Sequence, residues 1–255
     1  MNALLALRWV AVWRRNFLVW RKLALPSVLG NLADPMIYMF GLGYGLGSLL
    51  PQVNGVPYIA FLAAGTLCAS TMNSASFEAL YSAFSRMHVQ KTWDAMLNAP
   101  VALEDVVAGE WIWAATKALF SGTAILLIVA AMGLTHSALA LWIFPVVFLV
   151  GLCFSAMGLI VTALAPSYDF FMFYFTLLIT PMMLLSGVFF PLTQLPPALQ
   201  AASHALPLTH AVALVRPLLL GTVPDAPLLH LTVLAGIALL AFAVALRLAR
   251  RRLLA

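Results

Sequence analysis

Residues 186–221 read SGVFFPLTQLPPALQAASHALPLTHAVALVRPLLLG. The stretch is mostly apolar, yet Pro191, Pro196, Pro197, Pro207 and Pro217 leave no window of about 20 residues for an unbroken spanning helix. Its two best helical windows, Pro196 to Ala205 and Thr209 to Leu220, rise only roughly 15 and 18 Å at about 1.5 Å per residue, short of a hydrocarbon core of about 30 Å. Pro196 suits a first helical position and the Thr209 hydroxyl suits the cap of the second helix. Broken helices at membrane depth persist only where protein or a water-filled cavity covers their free backbone groups. The stretch therefore reads as a pair of re-entrant half-helices, with an apolar loop along the membrane surface as the competing reading.

A re-entrant hairpin requires a membrane protein around it, and the composition supplies one. The 255 residues are 64% hydrophobic and 8% charged, with a mean hydropathy of +1.03, whereas a soluble domain is nearer one quarter charged. The net charge of +5 clusters at the ends of apolar runs, so it marks topology and no nucleic-acid partner is expected. Cys68 and Cys153 both fall inside apolar runs, which leaves no disulfide framework and no metal cluster to build.

Residues 1–25 form a unit of their own. Between residues 4 and 23, Arg8, Arg14, Arg15, Arg21 and Lys22 fill one arc of a helix, and Trp9, Trp13, Phe17 and Trp20 fill the opposite arc. An amphipathic helix lying in the membrane interface fits this pattern, though a soluble amphipathic helix would share it. Six spans follow within residues 26–255, at about 27–50, 57–82, 107–133, 137–164, from near 169, and 228–246. In the first, Asp34 is expected to cap a helix restarted at Pro35, and Gly41, Gly43, Gly45 and Gly47 make two overlaid G-x-x-x-G packing faces. Thr66, Ser70, Asn73 and Ser74 in the second serve either as interhelical glue or as the lining of a polar route. Glu110 and Lys117 in the third lie two turns apart on one face, so the lysine either pairs with Glu110 or snorkels to the interface.

Lysine and arginine counts orient the chain. The amino-terminal unit, the loop at 83–106 and the tail ending in RLARRR hold eleven cations, against Arg216 on the other side and Lys117 within a span; both termini and the loop are then cytoplasmic. In that loop Thr92 caps a two-turn helix that Pro100 ends, with Trp93, Met96 and Leu97 on one face. The helix either offers an exposed apolar knob to the cytoplasm or packs back on its own membrane domain.

Catalytic readings fail on spacing. None of the three lysines follows a glycine, so no phosphate-cradling G-x-x-x-x-G-K-[ST] loop exists. Ser186-Gly187 with His204 and His210 nearby lacks the glycine that a nucleophile elbow needs at Leu184, and the two histidines lack a third metal ligand. An ion-coupled transporter usually carries buried carboxylates and two repeated halves; neither is expected here. Composition alone leaves open a stand-alone channel or scaffold.

The chain resembles the membrane permeases of type-2 ABC exporters, most closely the NodJ-like nodulation-factor export permeases. The resemblance is carried by RRNFLVWRK (14–22), LGNLADPMIY (29–38) with GLGYGLG (41–47), QKTWDAML (90–97), GEWIWAATKA (109–118), VTALAPSYDFF (161–171), ITPMMLLSGVFFPLTQLP (179–196) and LPLTHAVALVRP (206–217). It implies an all-α, six-span, multi-pass protein of the bacterial inner membrane with a cytoplasmic coupling helix and an outer re-entrant hairpin at about 191–221. It also implies a non-catalytic subunit: two copies would work with two copies of a cytoplasmic ABC ATPase, which would bind ATP and magnesium while this chain binds no cofactor. The cargo would be an amphiphilic glycan such as a lipo-oligosaccharide, or an O-antigen-like chain, moved in contact with membrane lipid.

Residue by residue, the resemblance assigns coupling to Arg86, Thr92, Trp93, Met96, Leu97 and Pro100. It assigns an outer gate to Phe189, Phe190, Pro191, Leu195, Pro196, Leu206, Pro207, Thr209, His210 and Arg216, the arginine binding either backbone carbonyls or anionic headgroups. Tyr38, Asn73, Phe171, Tyr174 and Phe175 become path-lining candidates. On this reading Trp93→Ala reaches the membrane at normal levels but loses the ATPase.

Overall fold

The computed structural model describes residues 7–135 and 137–254; the start of the amphipathic unit, residues 1–6, lies outside them. Helix α1 (Arg8–Trp20) leads through a 3₁₀ turn into α2 (Ala24–Gly45), and strands β1 (Gln52–Val53) and β2 (Val56–Pro57) form a small antiparallel ribbon. Helix α3 (Tyr58–Phe77) continues through π-turns at Glu78–Ser82 and Ser85–Val89. After it come α4 (Thr92–Leu97), α5 (Leu103–Ala131), α6 (Ile143–Leu164), α7 (Tyr168–Leu185), α8 (Pro197–Ser203), α9 (Pro207–Leu220) and α10 (Pro227–Leu253).

Among the described residues, four helices are long and apolar enough to cross a membrane: α5, α6 with its 3₁₀ lead-in, α7 and α10. Helices α2 and α3, 22 and 20 residues long, match the first two expected spans in length but carry polar residues, among them Asn31, Asp34, Thr66, Ser70 and Asn73. Small side chains explain why α3 sits at the centre, packed against α2, α5, α6 and α9. Ala63, Ala64, Ala69, Ser74 and Ala75 are all buried there, and short side chains let neighbouring backbones approach. The closest approach is at Gly65, where a Cβ would stand 2.4 Å from the carbonyl oxygen of Val188, in the segment after α7. Gly65→Ala must displace backbone, so it is expected to cost about 1–3 kcal/mol. A lowered thermal midpoint in mild detergent would show it, and an unchanged midpoint would show that the contact yields freely.

Several local expectations are corrected. Helix α2 runs unbroken through Asp34-Pro35, so Asp34 caps nothing. Pro35 cannot donate to the Asn31 carbonyl one turn back, and that carbonyl accepts instead from the Ser70 hydroxyl at 3.4 Å. Of the overlaid glycine faces only one packs: Gly43 meets Ile59 and Gly47 meets Tyr58, while a Cβ at Gly41 or Gly45 would touch nothing. The ribbon is a small exception to an all-α reading. Asn54 and Gly55 both take positive φ, 51° and 76°, the two-residue turn that Asn-Gly favours between strands.

The aromatic arc of α1 faces α5. Trp13, Phe17 and Trp20 surround Trp113 with ring centroids 6.4, 6.3 and 5.9 Å away, Trp20 stacks on Phe120 at 5.0 Å, and Trp13 Nε1 donates to Thr116 Oγ1 at 3.1 Å. Gly109 allows this, since a Cβ there would lie 2.5 Å from Val12 Cβ. The pattern read as an interfacial girdle is thus largely spent on protein contacts.

Candidate functional site

A buried charge network joins α3, α4 and α5. On α5, Glu110, Trp113 and Lys117 recur at i, i+3 and i+7 and so share one face. In the continuation of α3, Glu78 and Arg86 each fall in a π-turn, a local rearrangement common at functional positions. Arg86 Nε donates to both Glu110 oxygens at 2.8 and 3.1 Å, and its Nη2 donates to Glu110 Oε2 and, at 2.9 Å, to Glu78 Oε1. Lys117 Nζ meets Glu78 Oε2 at 2.7 Å, and Trp113 Nε1 donates to Glu78 Oε1 at 2.8 Å. Trp93 Nε1, from α4, donates to Glu110 Oε1 at 3.2 Å. Both carboxylates are buried, which is tolerable only because each is paired and hydrogen-bonded.

This arrangement revises four readings. Glu110 and Lys117 do not pair with each other: Arg86 takes the one and Glu78 the other. Buried carboxylates do exist in the helices, but both are committed to cations. Arg86 is turned inward, its guanidinium committed to Glu78 and Glu110. Trp93 is no exposed knob; it is 1% exposed, with its indole N–H donating to Glu110. Met96 and Leu97 are half-buried against the same core, and Pro100 is exposed beyond the helix end. Thr92 is the first helical residue, preceded by Lys91 at φ 54°, and makes no cap bond.

Arg15 reaches the network from α1. Its Nη1 donates to Asn16 Oδ1 at 2.9 Å and its Nη2 to Thr92 Oγ1 at 3.5 Å. Burial, and then the charge of Arg86, pull its pKa below the usual arginine value, and Glu110 only partly offsets them. His88 is lowered too, by burial first and then by Arg252 and Lys91.

Beside the network lies a cleft of about 400 Å³ between α2 and α3. Tyr38, Phe77, Tyr81 and Phe189 supply aromatic surface; Asn31, Asp34, Ser70, Asn73 and Ser74 supply polar groups; Lys117 belongs to both cleft and network. Ser70 serves as glue as well, its hydroxyl 3.4 Å from Ser121 Oγ. Of the path-lining candidates, Tyr38 and Asn73 line this cleft. Phe171 and Tyr174 do not. The first is sealed among Tyr81, Phe84 and Tyr168, and the second is buried with its hydroxyl 3.3 Å from Ser76 Oγ. Phe175 stands behind the lining, its ring 4.6 Å from that of Phe77. Phe77 and Tyr81, missed in the sequence, are four residues apart on α3, a spacing that a search for helical aromatic pairs would have found.

Phe189 brings the hairpin segment to the same cleft. Its helices α8 and α9 have 7 and 14 residues, at most about 21 Å of rise. Pro197 opens α8 with Pro196 as its cap, and Pro207, not Thr209, opens α9 after Leu206. Thr209 is buried, and its Oγ1 has no hydrogen-bond partner among the described residues. Phe189 packs on Tyr38 at 5.5 Å and its carbonyl accepts from Tyr58 Oη at 3.2 Å. Phe190 and Leu195 are half-buried and Pro191 is buried. Arg216 donates to the Gly187 carbonyl at 2.6 Å and lies 3.6 Å over the Phe61 ring, so backbone carbonyls, not headgroups, receive it. His210 Nδ1 sits 2.7 Å from His230 Nδ1, and its Nε2 2.9 Å from the His204 carbonyl. No group of three or more metal ligands occurs among the described residues.

Residues 7–220 match the family described as ABC-2 type transporter. The chain is 52% identical to Nodulation protein J of Rhizobium leguminosarum bv. viciae over 97% of its own length and 96% of that protein's, and 50% identical to that of Rhizobium meliloti over 96% and 94%. It is 28% identical to the inner membrane transport permease YadH of Escherichia coli K12 over 87% of each chain.

Proposed function

The chain belongs to the ABC-2 type transporter family as the membrane subunit of an ABC exporter, and from that premise we propose that it exports an amphiphilic glycan of the lipo-oligosaccharide kind. The cleft is the observation that carries the cargo class. Its rings offer flat apolar faces for the C–H faces of sugars, and Asn31, Asp34, Ser70 and Asn73 offer partners for hydroxyls, a largely apolar wall with a few placed polar groups. The resemblance to nodulation-factor export permeases points to the same class. In this reading all six long helices span the inner membrane with both termini cytoplasmic, and two copies enclose the route. Phe189 and the hairpin plug it from outside.

Reconstitution with an ABC ATPase tests the proposal: labelled lipo-oligosaccharide should move in an ATP-dependent way, and O-antigen fragments should not. Equal movement of both would reassign the cargo. No movement of either, with no ATPase retained on purification, would favour a stand-alone channel or scaffold.

The ATPase would meet the outward face of α4. With Trp93 turned inward, that face consists of Lys91, Ala95, Asn98 and Ala99, all exposed. Ala95→Arg places bulk and charge on it without touching the core. Capture of the ATPase should fall at least about tenfold, or roughly 1.4 kcal/mol, at normal membrane levels; wild-type capture would place the contact elsewhere.

A further inference from the structure

A second cavity, of about 230 Å³, opens between α1 and the network, lined among others by Arg15, Asn16, Trp20, Leu23, Arg86 and Lys117. Three cations border it. Glu78 and Glu110 already take up Arg86 and Lys117, so three positive charges face two negative ones. The excess falls on Arg15, which has no carboxylate partner among the described residues and holds only two neutral oxygens. A second observation points the same way: Asn16 is 3% exposed, yet its Nδ2 donor has no hydrogen-bond partner among the described residues. A half-buried guanidinium and an unused amide donor at one small cavity both call for acceptor oxygens carrying negative charge.

The mouth of the cavity narrows the choice. Val19 and Leu23, 55% and 64% exposed, form an apolar lip beside Trp20. A free inorganic anion would use the cations and leave the lip idle, whereas an anionic lipid uses both, as tryptophan and arginine do at a membrane surface. We propose that this cavity is a binding site for the phosphate of an anionic phospholipid, held by Arg15 and Asn16, with its acyl chains over Val19 and Leu23. The site would link the surrounding bilayer to α4 through the Arg15 contact with Thr92.

Full-length protein in detergent, titrated with short-chain phosphatidylglycerol, tests this. Phosphatidylglycerol should bind at least tenfold tighter than phosphatidylcholine or inorganic phosphate, and Arg15→Gln should remove most of that preference. Asn16→Asp, nearly isosteric, sets a resident carboxylate beside Arg15 and should abolish phosphatidylglycerol binding even if Arg15→Gln does not fold. Arg14→Gln, on the exposed face of the same helix, should change affinity less than twofold. Unaltered affinity in Asn16→Asp, or an equal loss in Arg14→Gln, would overturn the site. Inorganic phosphate binding as tightly as phosphatidylglycerol would overturn the lipid.

Discussion

Arg86→Met should destabilise the protein by about 3–5 kcal/mol, the range for removing one partner of a buried ion pair. Arg86 bonds both Glu78 and Glu110, and a methionine would leave two buried carboxylates facing each other across an apolar side chain. Trp113, Lys117 and Trp93 would still donate to them, which places the loss within that range and not beyond it. Adding Glu110→Gln removes one uncompensated charge, so the double variant should recover part of the loss. Unfolding midpoints in detergent, read as a cycle with the single variants, measure the coupling. A midpoint for Arg86→Met near wild type, or a double variant no better than the sum of its parts, would mean that water reaches this network and screens it.

Trp93→Ala should cost a comparable amount, about 3–5 kcal/mol, because it empties a fully enclosed aromatic site. The resemblance implies the opposite, normal membrane levels with a lost partner, whereas the residues alone leave both packings of the helix open. Burial against the membrane domain reverses it, and folded protein should now fall together with ATPase capture. Trp93→Phe separates the two contributions: it keeps most of the packing and removes only the N–H bond to Glu110, at about 1.5–3 kcal/mol for a bond to a charged group. Normal yield of Trp93→Ala with ATPase capture lost would restore the exposed-knob reading.

The two substitutions show where sequence reading stops. That α4 exists was legible, since Thr92 to Leu97 carry helical periodicity up to Pro100. Which way its apolar face turns was not, because Trp93, Met96 and Leu97 have the same spacing whether they meet a partner or their own domain. The choice was made by Glu110, seventeen residues away in sequence.

Much was set by the residues themselves. Composition and the long apolar runs specify an all-α membrane protein, four of whose described helices are long and apolar enough to cross a bilayer, since a buried backbone must satisfy its hydrogen bonds within each segment. The prolines of 191–217 specify a broken hairpin, since a ring without an N–H cannot continue a helix. Tertiary structure alone decided the pairings. Glu78 and Arg86 meet Glu110 and Lys117 across α3 and α5, two π-turns set their facing, and the aromatic arc of α1 closes on Trp113 because Gly109 lets Val12 approach. The physical reason is range: periodicity and capping act within a few residues, whereas a buried charge takes whichever counter-charge the fold brings within about 3 Å.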